Sequence, residues 1–200
     1  YTSVLRENVE ELNGLIQEIL DFRKAEDAGF SHTHIRRVSV SSLLRTQFEW
    51  FYPLSEQHQI QFKIDAPKEL YWNTDSVYFK KILANLISNA FKYTEDGGTV
   101  RISLHEEENF LVLKVYNTGK GIEEADMQNI FDRYRILGTM DNDDNRQNTA
   151  RNGLGLFICH SLVQSLGGKI DIESEVGQYA EFTVTLPFGI VEESSDDTID

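Results

Sequence analysis

Asn85, Asn89 and Lys92 stand four and then three residues apart in NLISNAFKYT, residues 85–94. A helix turns about 100° per residue, so the three side chains share one narrow stripe. A carboxamide oxygen is a neutral hard ligand, suited to Mg2+ that already carries phosphates and waters. A lysine beside it is a point charge for phosphate. Asparagine is a poor helix-interior residue because its amide competes for backbone hydrogen bonds. Two of them on one face therefore ask for a reason. Phe79, Ile82, Leu83, Leu86, Ile87 and Ala90 form a broad apolar face next to the stripe. The polar stripe thus sits at the edge of an intact core face. From this stretch alone an ordinary solvated face remains an open reading.

Two further segments carry the same chemistry. VYNTGKGI, residues 115–122, runs out of a strand pattern into Gly119 and Gly121. Paired glycines there allow positive φ and a close approach of backbone to a ligand. RNGLGLFICHSLV, residues 151–163, puts Gly153 and Gly155 at the start of a helix pattern. The free N–H groups and the dipole at such a start favour an anion. Before it, residues 138–152 have almost no apolar content. They read as a loop placed where a lid would stand.

The elements that must position these residues are legible in outline. Leu5, Val9, Leu12, Ile16 and Ile19 alternate spacings of four and three, a heptad seam that one helix cannot bury alone. Leu15, Leu20 and Phe22 widen the stripe toward a multi-helix bundle. Residues 28–37 break the pattern and read as a linker. A helix follows from about Val40, with Ser41 or Ser42 as its cap. Ile60, Phe62 and Ile64 alternate as a strand, and Leu70 to Asn73 form a short one. Asp75 caps a long helix to about Tyr93. Residues 99–117 alternate on both sides of a polar turn, a hairpin pattern. Residues 123–131 and Leu154–Leu166 read as helices, Lys169–Ser174 and Tyr179–Leu186 as strands. This interspersion predicts an α/β fold, a two-layer sandwich with a mixed sheet covered by helices, preceded by a long N-terminal helix. The expected organisation is a helix over 1–27, a linker over 28–39, the main domain over 40–188 and an acidic tail or linker over 189–200.

Composition sets the outer limits. The 200 residues carry a formal net charge of −14. That balance argues against a nucleic-acid partner, which wants a basic face, and against direct contact with an anionic membrane. Cys159 is the one cysteine, so no intrachain disulfide can form and a reducing, cytoplasmic setting fits. Its neighbours Phe157 and Ile158 suggest a buried thiol. No run is long and apolar enough to span a membrane. The chain opens at Tyr1 inside a helical pattern, which suggests a piece of a longer protein.

The order of motifs resembles the dimerisation and catalytic ATP-binding portion of sensor histidine kinases, members of the GHKL ATPase superfamily. NLISNAFKYT is similar to the N box, NTGKGI to the first glycine box, IFDRYRIL to the F box and NGLGLFI to the second glycine box. SEVGQYAEFTVTLP resembles the closing strand pair, and LIQEILDFRKAE the second helix of the dimerisation hairpin. The texture is similar, more loosely, to hybrid sensors of carbohydrate-responsive systems. The resemblance implies ATP and Mg2+ as cofactors, with Asn89 as the metal ligand and Asn85 beside it. It places Lys92 at phosphate and Tyr93 near adenine or ribose. It implies that Asn117 reads the base, with Gly119, Gly121 and Ile122 shaping the base pocket. Arg133 and Tyr134 belong to the F box at the lid's root. Gly153, Leu154, Gly155 and Leu156 hold phosphates at the helix start, and Thr183 resembles a pocket-floor residue. No residue of the chain is expected to act as a chemical catalyst itself. The implied partners are a second copy through the dimerisation helices and a response-regulator receiver domain.

The chain departs from that pattern in three places. Asn117 stands where the family has an aspartate that accepts from the adenine amino group. Arg151 replaces the first glycine of the second glycine box and adds a phosphate-capable guanidinium. Tyr179 falls where a glycine is common. These changes leave open a second reading, a degenerate nucleotide-binding or signalling module without kinase activity. The related hydrolases place a glutamate where Asn85 stands, as general base for water. An asparagine takes no proton at neutral pH, which favours phosphoryl transfer over hydrolysis. The resemblance also calls for an acceptor histidine, and residues 1–24 contain none. It is expected upstream of Tyr1.

Overall fold

The computed structural model describes residues 33–131 and 152–190, with the side chains of 152–154 left aside. The elements in chain order are β1 (Arg36–Ser39), α1 (Val40–Gln57), β2 (Gln61–Asp65), β3 (Tyr71–Thr74), α2 (Ser76–Tyr93), β4 (Thr99–Glu107), β5 (Phe110–Thr118), α3 (Glu124–Met127), α4 (Asn152–Ser165), β6 (Lys169–Glu175) and β7 (Tyr179–Pro187). Five strands form one sheet in the order β2-β4-β5-β7-β6. The β2–β4 pair is parallel and the other pairs are antiparallel, so the sheet is mixed as expected.

Strand alternation explains which face the helices cover. Val100, Ile102 and Leu104 of β4, Leu111, Leu113 and Val115 of β5, and Phe182, Val184 and Leu186 of β7 are all buried. Each set keeps the period of two that puts side chains on one face. The same face receives Phe79, Ile82, Leu83, Leu86, Ile87 and Ala90 of α2, the apolar face read from the sequence. The turn between β4 and β5 is Glu108–Asn109, both at positive φ (49° and 68°). That conformation matches the twist of the flanking strands and fixes the register from Val100↔Asn117 to Glu107↔Phe110.

Three local expectations need correction. The stretch read as a linker contains β1, which pairs antiparallel with β3 through Arg36↔Thr74 to Ser39↔Tyr71. Only Val38 in RRVS is buried, so the pattern is too short to announce a strand. The first turn of α1 is not capped by a serine accepting from its own N–H groups. The backbone N–H groups of Val40 and Ser41 donate to the Leu70 carbonyl at 3.0 and 3.4 Å. Ser41 Oγ accepts instead from the Leu70 N–H at 2.9 Å. The segment before β3 therefore satisfies the helix start, a long-range solution that local sequence does not carry. Finally, helix in 123–131 is confined to the single turn of α3.

Asp75 does cap α2. Its Oδ1 accepts from the N–H groups of Val77 and Tyr78 at 2.8 and 3.1 Å. Its Oδ2 accepts from the His34 N–H at 2.8 Å, tying the incoming chain to the same helix start.

Candidate functional site

The last turns of α2, the end of β5, the loop after it, the start of α4 and the β6–β7 hairpin enclose a cleft of about 600 Å³. That is the volume range of a small-molecule site. Asn89, Lys92 and Tyr93 enter it from α2, Asn117 from β5, Gly121 and Ile122 from the loop, and Leu156 from α4. Seven residues singled out from the sequence thus meet in one place, although they lie up to 67 positions apart (156 − 89).

The remaining candidates fall into three groups. Asn85 is half-buried one turn before Asn89, beside α4. A Cβ on Gly155 would lie 3.2 Å from Asn85 Oδ1, so the glycine lets α4 approach the polar stripe closely. Gly119 backs the cleft rather than lining it. Its φ is +155°, and a Cβ would run into the Tyr93 carbonyl oxygen, which is why no side chain fits there. Gly153 and Leu154 lie in the first turn of α4, a turn that holds no acidic residue. Arg133, Tyr134 and Arg151 lie outside the described residues, as does the expected lid loop up to residue 151; Asn152, read as its last residue, instead opens α4.

Thr183 is a correction. It does not line the cleft. Its neighbours Phe182 and Ala180 do. In YAEFTVTLP the buried residues are Ala180, Phe182, Val184 and Leu186, so Thr183 has the opposite parity and pairs with Lys114 and Asp171. The signal was in the alternation itself. Ala180 could not be found from residue type, because its place follows from the register that sets it opposite Asn117.

The floor is apolar, made by Ile122, Ile130, Leu156, Ala180 and Phe182, and it suits a flat aromatic ring. Asn117 is the buried polar group on it, 5% exposed. Its Nδ2 donates to the Thr118 carbonyl at 3.1 Å. A carbonyl can only accept, so this bond fixes which way the amide is turned. The Asn117 oxygen accepts no hydrogen bond from any described residue. It is left as an acceptor at the edge of an apolar slot. Around the mouth, Lys92 and Lys120 stand with Glu95, Glu123 and Asp126.

Cys159 is buried in the core, and desolvation pushes its thiol up to about 12. It takes no part in the cleft.

A mixed sheet with helices on one face, and a cleft that joins an apolar slot to a polar helix edge, define an α/β nucleotide-binding class of domain. Within that class, the chain belongs to the histidine kinase-, DNA gyrase B- and HSP90-like ATPase family, whose model matches residues 74–190. It is 33% identical over 190 residues to the circadian input-output histidine kinase CikA of Synechococcus elongatus, covering 94% of this chain and 24% of that protein. It is 32% identical over 203 residues to the sensor histidine kinase WalK of Bacillus subtilis, covering 98% of this chain and 31% of that one. The chain therefore spans roughly a quarter to a third of these curated relatives. Among solved structures, full-length ShkA in complex with AMPPNP superposes with a TM-score of 0.78 at 26% identity, over 94% of this chain and 38% of that one.

Proposed function

We propose that this chain is the ATP-binding catalytic portion of a sensor histidine kinase in two-component signalling. It positions Mg2+-ATP for phosphoryl transfer to a histidine outside the chain. The observation that carries the reading is the junction in one cleft of an apolar slot, a free acceptor on the buried residue Asn117 and the Asn89–Lys92 edge of α2, with Asn85 one turn behind it. The likeness to ShkA, solved with an adenine nucleotide analogue, supports it.

The residues present fit the two cofactors. The Asn117 oxygen suits an exocyclic amino group such as that of adenine. A guanine presents a carbonyl there, and two acceptors face to face leave both unpaired, which costs more than a lost bond. Asn117 thereby does with a neutral oxygen what a carboxylate does with a charged one, at about half the strength. Asn89 and Asn85 offer carboxamide oxygens to Mg2+, which supplies charge neutralisation on the phosphates when bound. Lys92 and the start of α4 offer positive charge and free N–H groups to the phosphate oxygens. Phosphoryl transfer needs little covalent help, so positioning and charge are the work asked of these residues.

The heptad stripe from Leu5 to Ile19 supports self-association through the dimerisation helices. A response-regulator receiver domain, in another chain or the same one, is the onward acceptor. Kinship with sensor kinases also supports a cytoplasmic position under a membrane-bound sensor. The direct test is calorimetric titration with ATP, with and without Mg2+, and with GTP. Mg2+-dependent binding of ATP, at least about tenfold tighter than GTP, is expected. A folded sample that binds neither nucleotide would overturn the reading.

A further inference from the structure

The loop that forms one wall of the cleft, Gly119–Ile122, makes no secondary structure of its own. It lies on the β6–β7 hairpin at four points. The Gly119 N–H donates to the Gln178 carbonyl at 3.1 Å, and the Gly177 N–H donates to the Lys120 carbonyl at 2.7 Å. Gly121, at φ +66°, passes so close to the Glu175 carbonyl that a Cβ would collide with it. The fourth point is a side chain. The Ile122 N–H donates to Ser174 Oγ at 2.8 Å, and Ser174 Oγ donates its own proton to the Tyr179 carbonyl at 2.6 Å.

From this geometry we propose that Ser174 is a positioning residue for the nucleotide cleft. It holds the Ile122 wall at the distance from Ala180 that a flat base requires. A hydroxyl has one proton and can accept as it donates, so one atom clamps two backbone groups on two elements. Ile122 and Ala180 both line the cleft, and Ser174 pairs with Ala180 in the β6–β7 register. The other three points are backbone contacts, each made through a glycine: Gly119, Gly177 and Gly121. Ser174 is the one point of the four where a side chain makes the bond. A serine on an exposed hairpin that merely closed the turn would have no need to accept from a residue 52 positions away.

The inference rests on the nucleotide reading of the cleft, and its test keeps the two apart. Adenosine and Mg2+-ATP are titrated into the wild-type chain, Ser174→Ala and Ser174→Thr, with thermal midpoints and amide exchange at Ile122 measured on each. Ser174→Ala is expected to weaken adenosine and ATP by the same factor, roughly three- to tenfold, because the wall meets the base and not the phosphates. The Ile122 amide is expected to exchange faster, and Ser174→Thr, which keeps the hydroxyl, to restore both readouts. Unchanged adenosine affinity in Ser174→Ala overturns the proposal, as does a loss confined to ATP. Ser174→Thr as weak as Ser174→Ala also overturns it, by assigning the effect to packing. A wild-type chain that binds neither ligand overturns the nucleotide reading and the ligand role of Ser174 with it. Ile122 exchange then still decides whether the clamp exists.

Discussion

Asn89→Ala is expected to weaken ATP by roughly tenfold when Mg2+ is present, and far less when it is chelated. The residue offers a carboxamide oxygen from the cleft-facing edge of α2, and a metal is the partner that most needs it. Calorimetry with and without chelator checks this, and equal losses in both would remove Asn89 from the metal. Gly121→Ala tests the opposite kind of residue, one chosen for what it lacks. It adds a Cβ at positive φ against the Glu175 carbonyl, so a loss of about 1–3 kcal/mol in stability is expected. Urea unfolding at constant m-value measures it. At this scale the sequence was informative where residue type is unusual for its setting. Two asparagines on a core helix and two glycines after a strand stand out. Ala180 and Ser174 did not stand out, because alanine and serine are ordinary in strands and their roles come from what they face.

Helix α2 positions Asn85, Asn89, Lys92 and Tyr93 together, so its start governs its far end. Asp75→Ala removes the acceptor for Val77 and Tyr78 and for the His34 N–H. A loss of about 1–2 kcal/mol is expected, seen as a lower denaturant midpoint. Cys159 on α4 gives a second test. Its folded pKa lies above the ordinary value, at about 12 against 9.0. A thiol kept neutral by burial stabilises the fold fully below pH 9, and that contribution is lost as pH climbs toward about 12. In Cys159→Ala the alkaline fall in stability should be shallower by up to about 1.4 kcal/mol per pH unit. The elements themselves were mostly legible. The period of α2, the cap at Asp75 and the alternation of β4, β5 and β7 each follow from local pattern. The first turn of α1 and strand β1 were not, because both are completed by residues about 30 positions or more further along the chain.

At the scale of the whole molecule, β3 ties the two ends of the domain together. It pairs with β1, Trp72 Nε1 donates to the Pro187 carbonyl at 3.0 Å, and Asn73 exchanges hydrogen bonds with Gly189. The heptad stripe lies before this knot. Leu12→Asp with Ile16→Asp is expected to lower the oligomeric mass in light scattering while leaving ATP affinity unchanged. Loss of both would mean that the stripe and the cleft are not separate parts. The sequence by itself determined the α/β class and the order of the main strands and helices, because each depends on side-chain type at short period, and it singled out the candidate site residues. The tertiary structure alone decided which of them meet. Strand register put Ala180 opposite Asn117 and turned Thr183 away. The Thr118 carbonyl accepts from Asn117 Nδ2 and leaves the Asn117 oxygen as the acceptor. The β6–β7 hairpin reached back across the chain to hold Ile122. Register and long-range hydrogen bonds depend on partners far along the chain, and no local pattern of residues encodes them.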